Sequence, residues 1–260
     1  MLIPTHRLKP GDQETWDRLE RYDRALYPGA KAKEQAAVDL ITKWWENTGR
    51  TGICSTSWGK DSTVTAHLTA LTGLPIPIIW VRSDPYEPPE SEAVRDAFLD
   101  AHSDVRYEER IAVLRNPKRG EPGYEAHQLN PHRRHQDVLK ELIDEPYISG
   151  VRAEESTMRA KSARWHGTHT RHTCRPILHW TATDVFAYLA GEGLPVHPIY
   201  AMSYAGRLDR RWLRVHPLCS HHEESGVHGR DTGQWEDDYY GDAIRSARAL
   251  RLDDRAAGEQ

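Results

Sequence analysis

At 260 residues with a formal net charge of −4, the chain is long enough for one large or two small domains and has no global cationic field for nucleic acid. It contains no run of about 18 apolar residues, which excludes a membrane-spanning helix, and its opening MLIPTHRLKPGDQE lacks the apolar stretch of a secretory leader. Three cysteines, Cys54, Cys174 and Cys219, are too few for a disulfide framework, so a reducing, cytoplasmic setting without membrane contact is expected.

Residues 1–30 are polar. Pro10-Gly11 and Pro28-Gly29 bracket a helix from Gln13 to Leu26, and the segment reads as an N-terminal embellishment. Lys31 to Asn47 is an amphipathic helix with Ala36, Leu40, Trp44 and Trp45 on one side, closed by Thr48-Gly49. Next comes TGICSTSWGKDSTVTAHLTALT, Thr51 to Thr72. Small and β-branched residues suit a buried strand, a hydroxyl-rich turn follows, and Val64, Leu68 and Leu71 recur as on the buried face of a helix. A strand, a small-residue loop and a helix start present unpaired amides to an anion. The common nucleoside-triphosphate loop G-x-x-x-x-G-K-[ST] is not met, because Cys54 and Asp61 stand where it needs glycine and a hydroxyl. A strand–turn–helix whose start is merely capped by Asp or Ser is the plainer alternative.

Ile76 to Val81 is a second buried strand, completing a βαβ unit. Asp84 follows at its carboxyl end, where open α/β sheets hold ligands, although a turn residue before Pro85 is the equal alternative. Pro89-Glu90-Ser91 opens a helix. Val105 to Glu109 is a candidate third strand, and 115–135 an irregular excursion whose Arg and His residues face solvent or an anionic partner. A helix from Asp137 to Ile143 leads to a strand at 146–151. Gly150 there lets a ligand approach the backbone, and Arg152, Glu155 and Arg159 fall at helical spacing, either around an anion or as surface ion pairs. Arg175 to Leu178 reads as a proline-limited strand, Thr181 as a cap, and Trp180, Val185 and Leu189 as core of the helix region that follows.

Ser57-Trp58-Gly59-Lys60-Asp61-Ser62 resembles the pyrophosphate loop, S-[G/F/W]-G-K-D-S, of the PP-loop ATP pyrophosphatase superfamily. Its phosphoadenosine-phosphosulfate reductase branch is also resembled at Asp84 with Pro89-Glu90-Ser91, at Gly150-Val151-Arg152-Ala153-Glu154-Glu155-Ser156-Thr157-Met158-Arg159, and from Arg175 to Tyr200. The resemblance implies an α/β fold, adenine nucleotide alpha-hydrolase-like: a doubly wound, mainly parallel, five-stranded sheet with a helical C-terminal extension. The divisions expected are 1–30, a nucleotide-binding domain at 31–200, and 201–260.

The chain departs from the reductases that name the family. Their C-terminal cysteine lies in a Glu-Cys-Gly-[IL]-His setting, whereas Cys219 sits in Val215-His216-Pro217-Leu218-Cys219-Ser220-His221-His222. The reading favoured is therefore cleavage of the α–β phosphate bond of ATP, or use of another adenylyl nucleotide, to adenylylate an acceptor. Reduction through Cys219 and a non-catalytic accessory role are the alternatives. Lys60, Asp61, Arg152 and Arg159 are the expected catalytic residues. Ser55, Ser57, Trp58, Gly59, Ser62, Trp80, Val81, Arg82, Asp84 and Gly150 are expected to bind the nucleotide, with Asp61 as a helix cap or a Mg²⁺ ligand and Asp84 as a second metal or ribose candidate. The expected partners are a small-molecule or nucleic-acid acceptor, a sulfur-transfer or DNA-modification protein, and optionally a second copy of the chain. Two further readings stay open: a zinc site drawn from Cys174 or Cys219 with neighbouring histidines such as His216, His221 and His222, and an anion-facing patch of Arg207, Arg210, Arg211 and Arg214 with Trp212, against a solvated turn.

Overall fold

The computed structural model describes residues 1–84, 86–113, 142–218 and 232–256. Two N-terminal helices, α1 (Asp12–Lys31) and α2 (Glu34–Asn47), precede β1 (Ile53–Thr56), α3 (Lys60–Leu71), β2 (Ile78–Asp84), α4 (Ser91–Ala101) and β3 (Tyr107–Val113). After these come β4 (Tyr147–Ile148), α5 (Thr157–His166), β5 (Thr173–Cys174), α6 (Ala182–Glu192) and α7 (Thr232–Ala256). The sheet order is β3-β2-β1-β4-β5. Cys54 pairs in parallel with Ile78 on one side of β1 and with Ile148 on the other, and Ile148 pairs in parallel with Cys174.

The chain thus winds outward from β1 through β2 to β3, then returns to the opposite side of β1 for β4 and β5. This is the doubly wound α/β fold the resemblance implies. Its order reverses between β1 and β4, and the crevice beyond the carboxyl ends of those two strands is where such sheets hold ligands.

Two compact units are distinguished. The first comprises Met1–Trp80, Glu90–Glu109 and Glu145–Val215; the second comprises Val81–Pro89, Arg110–Asp144 and His216–Gln260. Within the first, residues 1–30 do more than embellish. Ile3 N–H donates to Val196 O (2.9 Å), and α1 packs along α6. Buried Asp23 takes both oxygens to Arg210 Nη2 (2.6 and 2.7 Å), and Trp16 sits edge-on to Phe186. Helix α1 runs through Pro28-Gly29 to Lys31 instead of breaking there.

The buried face of α2 is Ala37, Ile41, Trp44 and Trp45, one position on from the expected Ala36 and Leu40. In α3 nearly the whole middle is buried, as an element between sheet and helices must be, whereas Leu71 at its end is exposed. The fourth strand is only two residues long. Thr173-Cys174, just before the expected Arg175–Leu178, forms the fifth. Trp180, Val185 and Leu189 are core, and Thr181 caps α6 by accepting from Asp184 N–H (3.1 Å). The helix expected at 137–143 lies, but for its last two residues, outside the described residues.

In the second unit Leu218 N–H donates to Tyr86 O (2.7 Å) and Arg110 Nη1 to Leu142 O (2.6 Å). Helix α7 buries Trp235, Tyr239, Tyr240 and Ile244. No helix among the described residues is long and apolar enough to cross a membrane.

Candidate active site at the strand switch point

The turn between β1 and α3 is closed by its own hydroxyls. Ser57 N–H donates to Ser62 Oγ (3.2 Å), Ser62 Oγ donates to Gly59 O (3.0 Å), and Trp58 N–H donates to Thr56 Oγ1 (3.1 Å). Lys60 N–H donates to the hydroxyl of Tyr200 (3.0 Å). The loop and first-turn amides of Ser57, Trp58 and Lys60, expected to face a phosphate, are thus held by protein hydroxyls. Ser62 braces the loop, Ser57 is exposed beside it, and Ser55 is half-buried on β1.

Trp58 has φ 54°, the left-handed region that favours glycine, yet its indole is fully buried against Trp80, Phe98 and Tyr107. The indole is therefore a core group, and only the backbone of Trp58 belongs to the loop. Trp80 is likewise core, with the Arg95 guanidinium 5.8 Å from its ring centre. Val81, Arg82 and Asp84 continue β2 into the second unit, where Val81 is buried, Arg82 half-buried and Asp84 exposed.

The charged residues converge at the start of α3. Asp61 accepts from Lys60 Nζ at Oδ2 (2.7 Å) and from Arg152 Nε at Oδ1 (2.6 Å). Lys60 and Arg152 are both 2% exposed. The Lys60 ammonium also lies 5.2 Å from the centre of the Tyr200 ring. Burial pulls the Lys60 pKa below its ordinary value, and the nearby Arg152 and Arg214 add to this against the pull of Asp61. For Asp61, burial opposes ionisation, but Lys60 and Arg152 outweigh it and hold the carboxyl below its usual range.

Both Asp61 oxygens are therefore engaged by cations, and those neighbours repel a further positive ion. The residue fits neither the expected Mg²⁺ ligand nor a helix cap: Gly59 is the N-cap, without a side-chain bond. Gly150 explains how β4 comes so close. A Cβ there would stand 2.8 Å from the Asp61 carbonyl carbon and 2.9 Å from its oxygen.

Arg152 and Arg159 do not share one helix. A 3₁₀ turn over Ala153–Glu155 ends at extended Ser156, whose Oγ then accepts from Arg159 N–H (3.2 Å) to start α5. Glu155 reaches back to Arg152 N–H (3.3 Å) and forward to pair with the Arg159 guanidinium. Glu154 accepts from Arg152 Nη1 (2.6 Å) and from Ala182 N–H (2.7 Å), fastening this segment to α6. Burial, Arg214 and Arg152 lower the Arg159 pKa to about 10.

Arg214 is the residue the sequence reading placed elsewhere. It bears electrostatically on both Lys60 and Arg159, so the presumed arginine patch divides. Arg210 is buried on Asp23 and over Phe186 (4.1 Å), Arg211 pairs with Asp209, and Arg214 acts through its charge on Lys60 and Arg159. Tyr200, which ends the stretch of family resemblance from Arg175, adds its hydroxyl to the loop across 140 residues of sequence.

Lys60 and Arg152 on the Asp61 carboxylate, with the charges of Arg159 and Arg214 bearing on them at the switch point of a doubly wound sheet, make a cationic cluster suited to a multiply charged anion. A family model described as the phosphoadenosine phosphosulfate reductase domain matches residues 51–206. The chain belongs to this family. Phosphoadenosine 5'-phosphosulfate reductase from Synechococcus is 28% identical over 201 residues, 73% of this chain and 85% of that protein. The enzyme of the same name from Synechocystis is 27% identical over 211 residues, 76% and 82% of the two chains. Among solved structures, NMN synthetase from Francisella tularensis aligns with a TM-score of 0.44 and 14% identity, over 64% of this chain and 71% of that one.

As a member of the phosphoadenosine phosphosulfate reductase family, the chain is a PP-loop nucleotide-binding enzyme. Its described cysteines, Cys54 and Cys174, are buried, and burial raises their thiols to about 12 each. Cys219, His221 and His222 lie outside the described residues. Among the described ones Cys174 joins no group of three metal-ligating side chains, and His216 Nδ1 instead lies 2.8 Å from Pro217 O.

Proposed function

We propose that the protein binds ATP, or another adenylyl nucleotide, and cleaves its α–β phosphate bond to adenylylate an acceptor. The supporting observation is the pairing of Lys60 and Arg152 on Asp61 at the start of α3, with the charges of Arg159 and Arg214 bearing on the same group. An acceptor oxygen attacks the α-phosphorus, the new P–O bond forms as the bridging oxygen leaves with pyrophosphate, and no covalent enzyme intermediate is needed. The protein's task is positioning and neutralisation of the growing charge on the leaving pyrophosphate. Lys60 and Arg152 stand ready for that role because Asp61 already holds them fixed; Arg159 and Arg214 complete the clamp.

A second reading, reduction of phosphoadenosine phosphosulfate through Cys219 and an external thiol, is favoured by the similarity to the two reductases from Synechococcus and Synechocystis. The same cationic cluster would then hold the nucleotide's phosphates. Incubation with α-labelled ATP and sulfate, FMN or DNA as acceptor, beside incubation with phosphoadenosine phosphosulfate and thioredoxin, separates the two. Pyrophosphate with an adenylylated product supports the first reading; sulfite lost in Cys219→Ser establishes the second and overturns the first.

A further inference from the structure

Away from the nucleotide site, three helices of the first unit bring one acceptor-rich cluster together. Glu34 opens α2, His67 lies within α3, and Glu192 ends α6; one ligand atom from each lies within 4.8 Å of the others. We propose that Glu34, His67 and Glu192 form a binding site for a divalent transition-metal ion, which replaces the Lys31 ammonium between the two carboxylates.

The histidine makes this more than an acidic cluster. His67 is only 8% exposed, and its Nε2 has no hydrogen-bond partner among the described residues although it faces Glu192 Oε2 at 3.9 Å. Its tautomer follows from the chain of contacts behind it. His102 Nδ1 lies 2.9 Å from the Phe98 carbonyl, which can only accept, so His102 carries its proton there. The other ring nitrogen of His102, Nε2, then accepts from His67 Nδ1, 2.9 Å away. That leaves the His67 Nε2 lone pair bare and aimed at the carboxylates. Two carboxylates and an imidazole lone pair converging in a half-buried pocket call for a cation that accepts nitrogen as well as oxygen, such as Zn²⁺ or Mn²⁺.

The carboxylates are held as metal ligands usually are. Tyr188 donates to Glu34 and Tyr27 to Glu192, while the Phe98–His102–His67 relay orients the imidazole. Lys31 Nζ, 2.7 Å from Glu34 and 2.8 Å from Glu192, occupies the position of the ion's charge. Its side chain is 43% exposed and long enough to swing into water. Binding draws the three ligand atoms, now within 4.8 Å of one another, in to metal–ligand distances of about 2.0–2.2 Å.

The test uses the full-length protein, stripped with chelator and titrated with Zn²⁺ alone. Expected are one tightly bound equivalent, an X-ray absorption shell of oxygen with one imidazole and no sulfur, and a Tm rise of about 5 °C at saturation. His67→Gln should lose that equivalent, and Lys31→Ala should bind roughly tenfold more tightly because the competing internal cation is gone. Retention of the equivalent in His67→Gln, sulfur in the shell, or no binding by wild type and Lys31→Ala alike would overturn the proposal. If His67→Gln does not fold, Lys31→Ala decides alone: affinity no greater than wild type overturns it.

Discussion

Arg152 and Asp61 stand 91 residues apart in sequence and 2.6 Å apart in space. Arg152 comes from the segment after β4 and Asp61 from the first turn of α3, so their bond ties the two edges of the switch point together. Asp61→Asn leaves two buried cations without their shared charge. It should cost about 3 kcal/mol of stability and abolish turnover; denaturant unfolding with steady-state assays checks both. Arg152→Ala should reduce turnover at least about a hundredfold. Unchanged turnover in that variant would remove the cluster from the mechanism.

Gly150→Ala puts a methyl group 2.8 Å from the Asp61 backbone. The first turn of α3 must move, carrying Lys60 and Asp61 with it. Nucleotide affinity should fall by roughly tenfold or more while the fold persists, since a 1.4 kcal/mol misfit suffices for that factor. Calorimetric titration with ATP reads it directly, and an unaltered affinity would mean that the close approach has no bearing on the ligand.

Trp58→Ala should destabilise by about 3–5 kcal/mol through the cavity left among Trp80, Phe98 and Tyr107. Trp58→Gly should be no worse than Trp58→Ala, although glycine ordinarily costs more, because φ 54° suits it. The order of the two unfolding midpoints is the measurement.

The two buried or site-facing arginines of the 210–214 segment should separate cleanly. Arg210→Ala leaves buried Asp23 unpaired and should cost about 3–5 kcal/mol of stability. Arg214→Ala should leave stability near wild type and weaken nucleotide binding. The reverse result would return Arg214 to the surface.

His197 is buried, and burial lowers its pKa from an ordinary 6.5 to about 3. The folded state keeps it neutral while the unfolded chain takes up a proton as pH falls below that ordinary value. Its contribution is thus fully present above 6.5 and declines as pH falls from there toward about 3. Lowering pH from 7.5 to 5.5 should remove about 1 kcal/mol, and His197→Gln should flatten that part of the pH profile.

Much of this was legible in the chain because local chemistry and global fold agree. The β1–α3 turn, the Gly150–Arg159 segment and the Thr181 cap each carry their signal in a few adjacent residues. Tyr200 and Arg214 carry none: each acts across a long sequence separation on Lys60, and no periodicity marks either. The side-chain placement of Trp58 and Ser62 is not written in the sequence for a related reason. Their residue types suit a ligand loop, but whether an indole points into the core or a hydroxyl toward its own backbone is decided by tertiary packing. The Pro28-Gly29 break failed because α1 is supported along α6, which outweighs the local preference against helix.

The hydroxyls of Thr56, Ser62 and Tyr200 hold three amides that an arriving phosphate could otherwise claim. Docking is then a substitution at a finished surface, not the ordering of a slack one. Little chain entropy is lost on association, so discrimination among ligands falls to charge and to how well an incoming oxygen matches a hydroxyl. Anions should associate rapidly and in a strongly ionic-strength-dependent manner, and the phenol of Tyr200, released from Lys60, becomes a built-in spectroscopic reporter of occupancy.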